Sequence, residues 1–293
     1  MNDEVVITET KYFSRNLRIA TLASLLTDIS SEMVVYLLPI FLASILKAPI
    51  AFIGLIEGTA ETIASFAKLF SGYLSDRIGA RKGLVILGYS LSTFAKPFLL
   101  IASTWQMVFG IRLVDRLGKG IRTAPRDALI ADSVPSEQRG AAFGYHRAGD
   151  TLGAFIGISI ALAIIWLTQQ QNALLTIETF RTVLLVSIIP GVLAVIALVF
   201  GINEIKPTAH ATAPILSLRN FDYRFKFLLI IIAIFTLGNS ADSFIVLRAQ
   251  ERGATIFETM LMVLAFNGIY ALLSQPLGKL SDRLSRRTII GLG

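Results

Sequence analysis

The chain consists of long apolar segments separated by short polar gaps. A helix needs about 20 residues to cross the hydrocarbon core of a membrane, and this sequence has eight such segments with a ninth beginning. They lie near residues 18–46, 50–75, 83–103, 105–131, 139–167, 179–202, 225–250 and 255–280. The pattern therefore predicts an all-α polytopic membrane protein.

Composition supports this prediction and excludes several other classes of protein. Apolar residues make up 54% of the 293 positions and charged residues only 16%, which is too hydrophobic for an ordinary soluble domain. The chain has no cysteine, so disulfides and thiolate metal sites are excluded. No arrangement of residues typical of catalysis or metal binding is present in the sequence, and we expect neither an enzyme nor a cofactor. The net charge of +7 lies mostly in the gaps between apolar segments, so nucleic-acid binding is not expected.

The distribution of lysine and arginine predicts the orientation in the membrane. Alternate gaps, counted from the N-terminus, hold seventeen of these cations, and the opposite set holds four. Cytosolic loops of membrane proteins are enriched in Lys and Arg. The N-terminus is therefore predicted in the cytosol, and the chain in the cytoplasmic (inner) membrane as a multi-pass protein.

One gap carries a motif that is repeated later in the chain. The first copy lies between the second and third segments and contains Gly72, Asp76, Arg77, Gly79, Arg81 and Lys82. The second copy lies after the eighth segment and contains Gly278, Asp282 and Arg283. Gly79 can adopt the left-handed conformation that ends a helix. Asp76 is expected to hydrogen-bond the N-terminus of the next helix or to pair with a cation, and the cations are expected to stay with water and lipid phosphates.

The two copies resemble the loops between spans two and three, and between spans eight and nine, of major facilitator superfamily (MFS) transporters. The resemblance implies a six-helix transmembrane bundle at 1–202, a cytosolic linker at 203–224 and the start of a second bundle at 225–293. A whole member of that family has twelve spans, so the second bundle is expected to be incomplete and the sequence to be a truncation or a fragment.

The resemblance also implies a function. It indicates a secondary transporter that moves a small solute by alternating access, coupled to protons, and that is a monomer in the lipid bilayer when complete. The alternative is a non-transporting membrane scaffold or sensor, or an inactive remnant of such a transporter. Neither the substrate nor the direction of transport is predicted.

Charged residues inside the predicted spans are the candidates for a transport pathway. Each costs about 2.5–3.5 kcal/mol at the bilayer centre on insertion scales, so such residues usually face the interior of a bundle. The relay predicted for protons is Asp28, Glu32 and Glu61, with Arg112 and Arg147 as countercharges. The full set of candidates is Asp28, Glu32, Glu57, Glu61, Arg112, Arg147, Asp150 and Asp242. The alternative is that Arg112 with Asp115, and Arg147 with Asp150, are pairs three residues apart that only hold spans together.

Two of the spans carry further family resemblances. In span four, Arg112 and Gly118 fit the spacing of the superfamily's fourth-span motif, although Asp115 and Arg116 replace its usual glutamine and glycine. In span five, three glycines recur at four-residue spacing, which favours close helix packing: Gly149, Gly153 and Gly157. This run resembles the antiporter motif, but that motif's proline and last glycine are replaced, so antiport is not implied.

Overall fold

The computed structural model describes residues 14–168, 174–205, 221–237 and 241–283, without the side chains of residues 237, 271 and 274–283. Every regular element within these ranges is a helix, which confirms the all-α prediction. The α-helices are α1 (Arg15–Val35), α2 (Leu37–Ile40), α3 (Ile50–Ile78), α4 (Arg81–Ala95), α5 (Trp105–Asp132), α6 (Arg139–Thr168), α7 (Ile177–Gly201), α8 (Tyr223–Leu237), α9 (Asp242–Glu251) and α10 (Ile256–Arg283). A short π-helix, Phe41–Ile45, extends α2, and a 3₁₀ turn, Lys96–Leu100, extends α4.

Local sequence signals explain where several helices begin and end. Ser14, Thr104 and Thr176 precede α1, α5 and α7, and each side chain accepts a hydrogen bond from the backbone N–H three residues later. These hydroxyls satisfy backbone donors that have no partner within the helix. The other end of α3 is closed by Gly79, whose φ of 68° lies in the left-handed region.

Five helical segments of the described chain are long and apolar enough to cross a membrane. They are Arg15–Ile45, Ile50–Ile78, Arg81–Leu100, Ser136–Thr168 and Ile177–Gly201. The fourth predicted span is the 28-residue helix α5, which has sufficient length but carries eight charged residues. Three of its arginines are buried in the protein, so these three charges face other helices: Arg112, Arg116 and Arg122.

Helices α1 to α7, which form the first half, pack into one bundle. Helix α1 packs against α6 and α7, and α5 packs against α3 and α4. Two apolar clusters fill the bundle, one around Leu37 and Phe41 and one around Leu17 and Leu129. The first cluster also includes Met260 of α10, so part of the second half, which comprises helices α8 to α10, packs on the bundle.

The second half differs from the sequence prediction at span seven. A single helix was predicted over 225–250, whereas the structure has α8 and α9, and Ala241 before α9 has extended backbone with φ −69° and ψ 140°. The sequence between the two helices consists of three residues with low helix propensity, Gly238, Asn239 and Ser240. Most of the predicted linker 203–224 lies outside the described residues.

Candidate functional site

A cavity of about 560 Å³ opens between the first bundle and α9. Its wall is formed by α1, α3, α4 with its 3₁₀ extension, α5, α7 and the beginning of α9. Ten of its 23 lining residues are charged: Asp28, Glu32, Glu57, Glu61, Lys96, Asp115, Arg116, Lys119, Arg122 and Asp242. This concentration of charge in a bundle interior makes the cavity the candidate functional site.

Ion pairs join α3 to α5 along one side of the cavity. The guanidinium of Arg112 lies 2.9 Å and 3.1 Å from the two carboxylate oxygens of Glu57 and 3.3 Å from Asp115. The guanidinium of Arg116 lies 3.0 Å from Glu61 and 3.6 Å from Asp115. Both arginines are buried, and a charge in such a position needs a close partner of opposite sign. Two cations thus hold three carboxylates of the cavity wall.

Other charged groups of the wall lack such a partner. Within the described ranges, no cation lies within 4 Å of the carboxylates of Asp28, Glu32 or Asp242. The Lys96 ammonium donates to the hydroxyl of Ser30 rather than to a carboxylate. The Arg122 guanidinium lies over the ring of Tyr89, 4.2 Å from its centroid, which is a cation–π contact.

The structure brings together most of the predicted pathway residues. Five of the eight line the cavity, namely Asp28, Glu32, Glu57, Glu61 and Asp242. Arg112 lies behind the wall, where it holds Glu57 and Asp115. The pair of Arg112 with Asp115, three residues apart, is therefore present together with a longer-range partner that the sequence did not indicate.

Arg147 and Asp150 do not line the cavity. The Arg147 side chain is 83% exposed and is not part of the cavity wall, and its role as a countercharge for the predicted relay stays a prediction. It projects from an exposed face of α6 and lies 3.9 Å from Asp150, as the alternative of a local pair proposed. Asp150 also lies 3.7 Å from the ring of buried His146, whose other nitrogen contacts Thr21.

Lys96 is a cavity residue that the sequence prediction omitted. It follows α4, at the end of a predicted apolar span, and its ammonium reaches Ser30 on α1. A lysine inside the segment 83–103 was the available signal, because a lone cation at that depth carries the same cost as the acids that were selected.

The motif loop between α3 and α4 has a specific set of partners. The guanidinium of Arg81 contacts Asp132 at the end of α5 and lies 3.7 Å from Asp76. Asp76 thus pairs with a cation, one of its two predicted roles. Arg81 was expected to stay with water and lipid phosphates, but it is only 7% exposed, because Asp132 draws it against the bundle.

The sequence also missed the group that caps α4. Both carboxylate oxygens of Glu204 accept backbone hydrogen bonds, from Arg81 at 2.8 Å and from Lys82 at 3.0 Å. Glu204 follows α7, so this contact fastens the end of the first bundle to the motif loop. The side chains of Gly278, Asp282 and Arg283, in the second copy of the motif, lie outside the part that the structure describes.

The glycines of α6 lie directly against α1. A Cβ atom at Gly149, Gly153 or Gly157 would stand 2.5 Å from an atom of Thr21, Leu25 or Ile29 respectively. The backbones therefore approach as closely as small residues permit. Gly153 also lies beside the Cβ of Asp28, so this contact positions α1 with its acidic face toward the cavity.

The fold and site define a helical membrane protein with a charged central cavity, and comparison with known proteins places it in a family. The family model of the Major Facilitator Superfamily matches residues 20–293. The uncharacterized MFS-type transporter MJ1317 of Methanocaldococcus jannaschii is 34% identical over 286 residues, which cover 96% of this chain and 69% of that protein. The chain therefore belongs to the Major Facilitator Superfamily, as the motif loop indicated.

Two further similarities are more distant. The multi-drug resistance efflux pump PmrA of Streptococcus pneumoniae is 26% identical over 94% of this chain and 69% of its own length. The crystal structure of a bacterial homologue of the human lysosomal transporter Spinster, inward-facing and occupied, matches with a TM-score of 0.71 and 18% identity. That match covers 92% of this chain and 62% of the other, and it shows the fold alone.

Proposed function

We propose that the full-length protein is a secondary transporter that moves a small solute across the cytoplasmic membrane by alternating access. The observation that carries the proposal is a charged cavity between two halves that contact each other near one end. Residues of α9 and α10 join the apolar cluster around Leu37 and Phe41, at the end where α1 and α2 lead to residue 45. The cluster around Leu17 and Leu129, toward the other end, contains no described residue of α9 or α10.

This asymmetry fits one state of an alternating-access cycle. With the N-terminus in the cytosol, the contacting end faces outward and the cavity opens toward the cytosol. Rocking one half against the other would separate the outer contacts and expose the same cavity to the opposite side. The name of PmrA, an efflux pump, makes export the direction to test first.

Proton coupling is assigned to Asp28 and Glu32. Neither carboxylate has a cation within 4 Å in the described part of the chain. Each can therefore take up a proton without breaking an ion pair, whereas protonation of Glu57 or Glu61 removes one of the two carboxylate partners of a buried arginine. Of the relay predicted from sequence, Glu61 is accordingly the member with the stronger structural role.

The motif loop is proposed as a latch at the cytosolic end. Contacts among Asp76, Arg81 and Asp132 tie the end of α3 to the end of α5. These groups are close to the surface that the second half would approach in an outward-open state. Loss of the Asp76 carboxylate is expected to alter flux rather than folding, because Arg81 keeps Asp132 as its partner.

The test is flux in proteoliposomes that contain the full-length protein, measured for a panel of small solutes with and without a pH gradient. We expect gradient-dependent flux of at least one solute, its loss in Glu32→Gln, and its retention in Glu137→Gln, which changes an exposed carboxylate far from the cavity. Flux equal to that of protein-free liposomes for the whole panel would contradict the proposal and favour the scaffold or remnant.

A further inference from the structure

Most side chains in the lining of the cavity carry a charge or a hydroxyl, although carbon atoms make up more than half of its surface. Besides its ten charged residues, the lining includes seven hydroxyl-bearing side chains and three glycines. The remaining lining residues are Val35, Ala241 and Phe244. Sites for lipophilic molecules are lined mainly by apolar and aromatic side chains. With ten charged residues in its lining, the cavity suits a charged solute better than a neutral lipophilic one, although one relative of this chain is named a multi-drug pump.

The unpaired charges of the wall include both signs, and one cation, Lys96, stands beside the acids at Ser30 of α1. Asp28 and Glu32 lie one turn apart on the same face of α1 and make an acidic side, to which α9 adds Asp242. The basic side lies on α5, where Lys119 and Arg122 are three residues apart and share a face.

Both sides line the same cavity. In the described part of the chain, neither Lys119 nor Arg122 lies within 4 Å of the carboxylate of Asp28 or Glu32. A ligand with one charge would satisfy one side and leave the other without a partner as water is displaced, which is unfavourable. A ligand with both charges satisfies both sides.

We propose that the substrate is a small zwitterion, with its cationic group at Asp28 and Glu32 and its anionic group at Lys119 and Arg122. The inference rests on the proposed transport function and adds the chemical class of the solute. A volume of about 560 Å³ suits a molecule between an amino acid and a short peptide in size.

The experiment compares zwitterions with matched analogues that lack one charge, using the full-length protein in proteoliposomes. The zwitterions differ in charge separation, from glycine and 4-aminobutyrate to alanyl-alanine. N-acetylation removes the positive charge and amidation of the carboxyl removes the negative one. We expect uptake of at least one zwitterion, with each of its analogues weaker by about tenfold or more, the effect of one charge-assisted hydrogen bond.

Two variants assign each charge to its side of the cavity. In Lys119→Gln, the zwitterion should lose its advantage over the amide. In Glu32→Gln, measured as solute exchange without a pH gradient because the gradient-driven flux is lost, it should lose its advantage over the N-acetyl analogue. Glu137→Gln, outside the cavity, should keep both preferences. The comparison of analogues on the unchanged protein remains decisive if either cavity variant fails to fold.

A lipophilic cation distinguishes failure of the inferred substrate class from failure of the proposed transport function. If tetraphenylphosphonium is transported and none of the zwitterions is transported or competes, the protein is a transporter but the inferred substrate class is wrong. If neither the lipophilic cation, nor any zwitterion or analogue, nor any solute of the wider panel moves, the proposed transport function fails, and the inference fails with it.

Discussion

At the scale of single residues, Arg112 is the group on which the charged core depends most. Its side chain is 6% exposed and holds Glu57, 13% exposed, through two hydrogen bonds, in addition to Asp115. Removing one partner of a buried ion pair leaves an uncompensated charge, which usually costs more than removing the whole pair. The spacing of Arg112 and Asp115 was visible in the sequence. Glu57 was not identifiable as a partner, because it is 55 residues away and only the packing of α3 on α5 brings it close.

We therefore predict that Arg112→Leu lowers the free energy of unfolding by about 3–5 kcal/mol. The double variant Arg112→Leu with Glu57→Leu should recover a large part of this loss, because it leaves Asp115 with Arg116. The measurement is unfolding of the detergent-solubilised protein by titration with SDS. Arg147→Leu is the matched control, and because that side chain is 83% exposed we expect a change of at most about 0.5 kcal/mol. Equal losses at positions 112 and 147 would refute the buried-pair argument.

Glu204 illustrates a second kind of residue that local patterns miss. It caps α4 from a position 123 residues along the chain from Arg81, and no local motif indicates such a cap. We predict that Glu204→Gln lowers the free energy of unfolding by about 1 kcal/mol, since one helix-capping carboxylate is lost. Thermal unfolding followed by the fluorescence of Trp105 and Trp166 would detect this. Glu137→Gln should leave the unfolding temperature unchanged, and the same shift in both variants would argue against a capping role.

At the scale of helices, the contact between α1 and α6 determines where the acidic side of the cavity lies. Glycines of α6 face backbone carbonyls of α1 at Leu25 and Ile29. Neither carbonyl can move away from an added methyl group without displacing the whole of α1. The orientation of the α1 face that carries Asp28 and Glu32 is therefore determined by the glycines of α6, which let α1 approach closely.

We predict that Gly153→Ala destabilises the protein and weakens solute binding, because the new Cβ would stand 2.5 Å from the carbonyl oxygen of Leu25. Gly144→Ala on the same helix is the matched control. Nothing lies within 4 Å of a Cβ at Gly144, so that variant should be neutral or more stable by up to about 1 kcal/mol through helix propensity. Unfolding in SDS compares the two variants directly, and a gain in stability for both would contradict the close contact of α1 with α6.

Helix positions were more predictable than helix partners. Apolar runs long enough to span a membrane identified the helices of the first bundle, because helix formation and membrane insertion depend mostly on local composition. Span seven was mispredicted, since mean hydropathy across 225–250 does not reveal the extended backbone at Ala241. The cavity was predictable as a set of intramembrane charges. Which of these charges form ion pairs was not predictable from the sequence, because pairing depends on which helices pack together.

At the scale of the whole molecule, the described residues of α9 and α10 join the apolar cluster around Leu37 and Phe41 and are absent from the cluster around Leu17 and Leu129. Phe244 of α9 packs against Gly54 of α3, where a Cβ would stand 3.0 Å from its ring. This contact lies at the rim of the cavity, since both residues line it. An alternating-access cycle must separate these two residues to open the cavity on that side. A covalent link between them therefore tests whether transport requires their separation.

The last prediction is that linking Gly54 to Phe244 stops transport. The chain has no cysteine of its own, so Gly54→Cys with Phe244→Cys, in the full-length protein, gives one defined pair for a short thiol-specific cross-linker. Flux of the solute identified by the panel should fall to the level of protein-free liposomes after cross-linking and return when a cleavable linker is reduced.

The control pair is Ile19→Cys with Gly201→Cys, which joins α1 to α7 inside the first bundle, where the two residues are in contact. Because rigid-body rocking leaves contacts within one bundle intact, that link should leave flux unchanged. Undiminished flux through a protein linked between positions 54 and 244 would show that the two halves need not separate there.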